Sequence, residues 1–185
     1  GNITDTVALA VSGTTTLTTS ANDATITLNG TSNAFTGAMT ITTNDASGTD
    51  ADVTIDGGTT ALVIAASTID GDLTLTSGHA SGITDSGTVT VGGNFSATTD
   101  ANNGVINIGT MAVDGTAALN TNGNGAATIV NDAGLTLAAS TMGGTFSGTA
   151  TTGNITDTGA LSITGTTTLV TSANDATITL DTTTN

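Results

Sequence analysis

Residues 1–30 read GNITDTVALAVSGTTTLTTSANDATITLNG, and residues 153–182 read GNITDTGALSITGTTTLVTSANDATITLDT. The two stretches align without a gap. They differ only at Val7/Gly159, Ala10/Ser162, Val11/Ile163, Ser12/Thr164, Thr18/Val170, Asn29/Asp181 and Gly30/Thr182. A chain that reproduces itself in this way is a segment of an array, and an array gains stability by burying each unit against its neighbours. A looser third copy, Gly82 to Val91, matches Asn154 to Ile163 position by position, which makes Ile3, Ile83 and Ile155 equivalent.

Within the array the finest period is two. Apolar-x-apolar doublets recur along the chain, among them Leu9/Val11, Ile26/Leu28, Met39/Ile41, Val53/Ile55, Leu73/Leu75, Val89/Val91, Ile106/Ile108, Met111/Val113, Leu135/Leu137, Leu161/Ile163 and Ile178/Leu180. Single apolar residues such as Leu17, Phe35, Ile69, Phe95, Leu119, Met142 and Phe146 fall between them. Thr or Asp flanks these positions, so apolar side chains share one face of a strand and hydroxyls the other. No segment carries the spacing of an amphipathic helix. Thr, Val and Ile suit the pleated surface, while Asn-Gly at 29–30, 103–104, 122–123 and 124–125 and Gly-Gly at 57–58, 92–93 and 143–144 suit turns.

A weaker period of about twenty residues underlies the doublets, the scale on which one solenoid coil closes. The reading is an all-β parallel β-helix (β-solenoid), one segment spanning residues 1–185, with residues 153–182 opening a second copy of the long repeat. At that period the chain makes about nine coils, a rod of about 40–45 Å. A sandwich of immunoglobulin-like modules is the competing fold. It needs a core about 10 Å thick, and three Phe with no Trp or Tyr fill such a core poorly. Both ends of the solenoid would present open strand edges, which continuation into another copy or end-to-end stacking would cover.

Charge excludes whole classes of partner. There is no Lys or Arg against fifteen acidic residues, all Asp, and one His, a formal net charge of −15. Nucleic acid and anionic membrane surfaces both need protein cations. No apolar run is long enough for a membrane-spanning helix. The mean hydropathy of +0.22 and the absence of Pro argue for an ordered chain. The lack of Cys leaves the redox compartment open. The lysine-free acidic composition fits a secreted or surface-displayed protein, and position 1 falls at a repeat boundary without an initiator Met, as in an interior piece of a longer polypeptide.

The stretch GNITDTGALSITGTTTLVTSANDATITL resembles the repeats of giant bacterial surface proteins: filamentous-haemagglutinin-like exoproteins, autotransporter passenger domains and related β-strand-repeat adhesins. The resemblance implies a right-handed parallel β-helix, an extracellular or cell-surface location, and service as adhesin, filament or surface coat.

Candidate sites are few. His79 lies in the turn-like Ser-Gly-His-Ala-Ser-Gly and has Ser and Asp in plenty for a triad, with nothing to fix the geometry. The pairs Asp50/Asp52 and Asp70/Asp72 are the carboxylates that could act as glycosidase acid and base. For calcium, a hard cation that would relieve repulsion among uncompensated carboxylates, the densest candidates are Asp45, Asp50, Asp52, Asp56, Asp70 and Asp72. Surface Asp acting as turn cap and solubiliser is the plainer reading. Thr-x-Thr at 25/27, 40/42, 74/76, 88/90 and 177/179 could face ice or glycan, although the spacing is irregular. Asn2, Asn29, Asn94 and Asn154 stand in glycosylation sequons. The chain is thus expected to be a non-enzymatic structural protein that self-associates or continues in a longer chain, without cofactor. A module binding glycan, ice or calcium is the alternative.

Overall fold

The computed structural model describes residues 1–46 and 50–182. Among these residues there is no helix, and the strands build two long parallel sheets and one short pair. The first sheet stacks Ile3–Thr4, Ile26–Leu28, Val53–Asp56, Leu73–Ser77, Phe95–Asn102, Thr116–Asn122, Leu135–Leu137, Ile155–Asp157 and Ile178–Thr179, and it includes Ser140–Met142 and Leu161–Ile163. The second takes Thr15–Thr18, Met39–Thr42, Leu62–Ile64, Ser67–Ile69, Ile83–Asp85, Val89–Val91, Ile106–Val113, Ala127–Asn131, Phe146–Ala150 and Thr167–Thr171. Ala10–Val11 pairs with Ala34–Phe35. The chain alternates between the sheets, so it winds as a β-solenoid.

The solenoid has about eight turns of roughly 22 residues, fewer and longer than the nine turns of about twenty expected. The cause is uneven coil length. Ala127 pairs with Phe146, nineteen residues on, whereas Ile26 pairs with Val53, twenty-seven residues on. The longest coil carries the extra stretch after Thr42. Eight steps at the parallel-strand spacing of about 4.8 Å give a column of about 38 Å.

The doublets place the core as their period requires. Ile26, Leu28, Val53, Ile55, Leu73, Leu75, Phe95 and Ala97 all point inward and are buried. In register they form two rungs, Ile26–Val53–Leu73–Phe95 and Leu28–Ile55–Leu75–Ala97. Each buried aliphatic side chain contributes about 1.5–3 kcal/mol, and only when the coil above or below is in place. Small neighbours offset two of the three aromatic rings. Phe95 stacks on Ala117, and Phe146 on Ala127. Gly148 is buried beside Phe146, and a β-carbon there would come within 3.0 Å of the tip of that ring and of Leu169 Cδ2.

The shared sequence takes the same local shape at the two ends of the column. Ile3 pairs with Ile26 and Ile155 with Ile178. The carboxamide oxygen of Asn2 accepts from the Thr25 amide at 3.1 Å, and that of Asn154 from the Thr177 amide at 2.9 Å. Asp23 and Asp175 both adopt left-handed backbone, with φ of 59° and 61°. One difference is register. Following the pairs from Ile3 through Ile26, Val53, Leu73, Phe95, Ala117 and Leu137 leads to Asp157, two residues past Ile155. Two is even, so every side chain keeps its inward or outward sense through the slip.

The packing around Phe146 sets a direct expectation. Gly148→Val should lower stability by about 1–3 kcal/mol through overpacking, read as a lower urea midpoint. An unchanged midpoint would contradict the tight fit.

Candidate functional site

Between the strands, the side chains that carry chemistry are spent on neighbouring coils. Asp52, Asp72 and Asn94 occupy one line up the column. Asp52 Oδ1 accepts from the Asp72 amide at 2.8 Å, Asp72 Oδ1 from the Asn94 amide at 2.6 Å, and Asn94 Oδ1 from the Thr116 amide at 2.9 Å. Elsewhere Asp85 accepts from the amides of Gly109 and Thr110 and from the Thr110 hydroxyl, and Asp70 Oδ2 accepts from the Asp45 amide at 2.8 Å. A carboxylate bound by backbone N–H groups is stabilised without a cation. That is how a chain lacking Lys and Arg uses many of its Asp residues: each fastens the strand end above or below.

The expected calcium ligands are divided by this arrangement. Asp52 and Asp72 stand in one ladder, Asp45 and Asp70 in another, and Asp56 caps its own turn by accepting from the Gly58 amide at 2.7 Å. Asp50 is exposed in the longest coil. Among the described residues no group of three His or Asp side chains could hold a metal ion. Of the two carboxylate pairs considered for glycosidase chemistry, Asp70/Asp72 and the Asp52 member of the other are committed to backbone amides.

His79 is exposed in its turn, where Nδ1 accepts from the Ser81 amide at 3.0 Å and the His79 amide donates to Ser77 Oγ at 3.3 Å. Accepting at Nδ1 puts the neutral ring's proton on Nε2, and the ring serves the turn. The sequon residues Asn2, Asn94 and Asn154 likewise use their carboxamides between coils. On the outer surface, Thr4, Thr27, Thr54 and Thr74 lie in register as one row, more regular than their spacing suggested, and Ser96 continues it. A shallow open groove lined by Asp5, Thr6, Val7, Ala8, Asn29 and Gly30 lies beside the first coil.

Other polar residues escaped the sequence reading because they point inward. Asn131 is buried, donating to the carbonyls of Val113 (3.0 Å) and Gly134 (2.6 Å) and accepting from the Val113 amide (2.8 Å). Asn33 bridges Leu9, Asp5 and Leu28. Ser67 Oγ donates to its own coil at Ala65 O and accepts from the Ile41 amide, and Ser140 Oγ does the same with Ala138 O and the Leu119 amide. The signal for the serines is the shared string Ala-Ala-Ser-Thr at 65–68 and 138–141.

The carboxyls of Asp23, Asp56 and Asp5 depart from ordinary behaviour. A side-chain hydrogen bond to Asp45 raises the pKa of Asp23, assisted by desolvation and by the charge of Asp45. Desolvation raises that of Asp56. The Asn33 side chain, donating to Asp5 Oδ2 at 2.7 Å, lowers that of Asp5.

The repeat character has an independent counterpart. A family model described as repeats of unknown function (DUF5649) matches residues 1–42, 50–107 and 124–185, passing over part of the stretch that lengthens the second coil. No curated protein and no solved structure matches the chain.

Two measurements follow from these contacts. Asn131→Ala leaves the buried amide and carbonyl of Val113 and the carbonyl of Gly134 without this partner, and should cost about 2–3 kcal/mol in chemical denaturation. The pH response has a definite sign. Raised folded-state pKa values at Asp23 and Asp56 favour the folded chain while these groups are protonated, a gain lost as pH rises through those values. Asp5 acts oppositely, its contribution disappearing as pH falls through its lowered value. Melting temperature should therefore rise as pH is brought from 7 to about 4, near the ordinary Asp range, and turn down in stronger acid.

Proposed function

The chain belongs to the family described as repeats of unknown function (DUF5649), and from that membership we propose that it is a non-enzymatic structural segment of an extracellular filament, sheath or giant adhesin. One observation carries the reading: two near-identical thirty-residue stretches pair in the same way, Ile3 with Ile26 and Ile155 with Ile178, at both ends of a continuous parallel column. A unit built this way adds length in steps of one coil. Asp52, Asp70, Asp72, Asp85, Asn94 and Asn131 are engaged in joining coils, and these are not available for turnover of a substrate.

The mechanism is mechanical. Bending or pulling the column strains many backbone hydrogen bonds in parallel, and the stacked aliphatic rungs keep water from them. The acidic exterior opposes lateral clumping, and the absence of Lys and Arg removes every trypsin-type cleavage site. The resemblance to surface-protein repeats supports placing the protein outside the cell.

A second reading has one specific observation in its favour. The in-register row Thr4–Thr27–Thr54–Thr74 offers hydroxyls at the coil spacing, a surface suited to a glycan or to ice.

Electron microscopy of the native assembly distinguishes them. Fibres whose narrow dimension matches one column support the structural role, and dispersed monomers that bind glycan or ice saturably support the module. Removal of calcium should leave the column intact, so EDTA is expected to shift the melting temperature by less than about 1 °C, below the shift of about 2–4 °C that loss of a 1 kcal/mol contribution produces in a domain of this size. A larger shift would reinstate a bound cation.

A further inference from the structure

Asn-Gly occurs four times, at 29–30, 103–104, 122–123 and 124–125. The last three share one corner of the column, where the Asn103 amide donates to the Asn122 carbonyl at 3.0 Å and Asn103 Oδ1 accepts from the Asn124 amide at 2.8 Å. An Asn-Gly pair carries its own nucleophile. The glycine amide nitrogen gives its proton to water or hydroxide and attacks Cγ of the carboxamide, with no β-carbon on the glycine to shield it. An N–Cγ bond forms, the Cγ–Nδ2 bond breaks, and Nδ2 takes up a proton and leaves as ammonia. Water then opens the cyclic succinimide at either carbonyl, giving aspartate or isoaspartate.

The fold does not treat the four glycine amides alike. Gly30 N–H donates to Asp5 Oδ2 at 3.1 Å, Gly104 N–H to the Ala101 carbonyl at 2.9 Å, and Gly125 N–H to the Asn122 carbonyl at 3.1 Å. Each of these nitrogens must break its bond before it can lose the proton and turn on the side chain. Gly104 and Gly125 are also buried. Gly123 is the exception. Among the described residues its amide meets no protein acceptor, and Asn122 and Gly123 are both exposed. One bond restrains the other partner: Asn122 Nδ2 donates to the Asp100 carbonyl at 2.8 Å. That bond is exposed, so water competes for it, and it holds the departing nitrogen, not the attacking one.

We propose that Asn122 is a site of spontaneous deamidation, with water as the co-reactant, and that the folded column spares Asn29, Asn103 and Asn124. The product differs from the parent where coils meet. A carboxylate at 122 cannot donate to the Asp100 carbonyl, and it adds a charge to a chain that already carries −15. The isoaspartyl form also inserts a methylene into the main chain between 122 and 123. There the Gly123 carbonyl lies so close to Gly143 of the next coil that a β-carbon on Gly143 has no room. The modification therefore acts on the stacking of two coils, and it needs no enzyme.

The test holds the folded chain at mildly alkaline pH, beside the same chain unfolded in urea, and follows both by mass spectrometry. Cleavage before Asp yields residues 23–44 with Asn29, 100–113 with Asn103, and 114–131 with Asn122 and Asn124, which fragmentation separates. In the folded chain Asn122 should convert at least about tenfold faster than the other three, the factor that one retained hydrogen bond of ordinary strength represents. In urea the four rates should draw together, since the bonds that protect three of them are gone. Any of Asn29, Asn103 or Asn124 keeping pace with Asn122 in the folded chain would overturn the proposal. So would an Asn122 that reacts only in urea. A lead for Asn122 that persists undiminished in urea would assign the preference to local sequence and overturn the role given to the fold.

Discussion

The parallel hydrogen-bond ladder between coils is the constraint from which everything else in this protein follows. No turn of roughly 22 residues can satisfy its own strand amides and carbonyls, and it finds those partners one coil away. The ladder fixes the separation of neighbouring strands, and so limits how large the side chains stacked along a rung can be. Phe95 over Ala117 and Phe146 over Ala127, with Gly148 beside the ring, are local answers to that limit. Where the backbones crowd further, even a β-carbon has no room, as at Gly87 and Gly159.

The same ladder explains an acidic chain without cations. Strand ends leave amides pointing along the axis, and short acceptors placed one coil away meet them. Asp and Asn are the residues with an oxygen at the right reach, and they share a single line at Asp52, Asp72 and Asn94. Charge on such acceptors is stabilised by the amides it faces, so fewer carboxylates stand bare than composition implies. Asp23 and Asp56 are exceptions, and their raised pKa values mark where repulsion, carboxyl contact or desolvation outweighs amide donation.

Much of the fold was legible because inward positions announce themselves by period two. Ile26, Leu28, Val53, Ile55, Leu73 and Leu75 stand out as alternating aliphatics and all are core. The inward Ala97, Ala117 and Ala127 were not legible, since a residue that makes room for a ring has no signature of its own. Nor could the coil length be read closely, because the step varies from nineteen residues at Ala127–Phe146 to twenty-seven at Ile26–Val53. That variation also hid which Asp meets which amide. Asp70 and Asp72 are neighbours in sequence yet belong to different ladders, one facing Asp45 and the other Asn94. His79 was readable as a turn residue, while the bridging serines at 67 and 140 needed the repeated string around them to be noticed.

The two-residue slip between Ile3 and its copy Ile155 has a bearing on anything that touches the outside. At about 3.3 Å per residue, groups fixed to one copy lie about 7 Å sideways along the strands from their counterparts in the next. A binding partner that reads a straight file of hydroxyls meets it over a limited height before the file steps aside. Contacts made once per copy drift around the circumference, so two such columns held by matching surface groups would twine about each other instead of lying flat side by side.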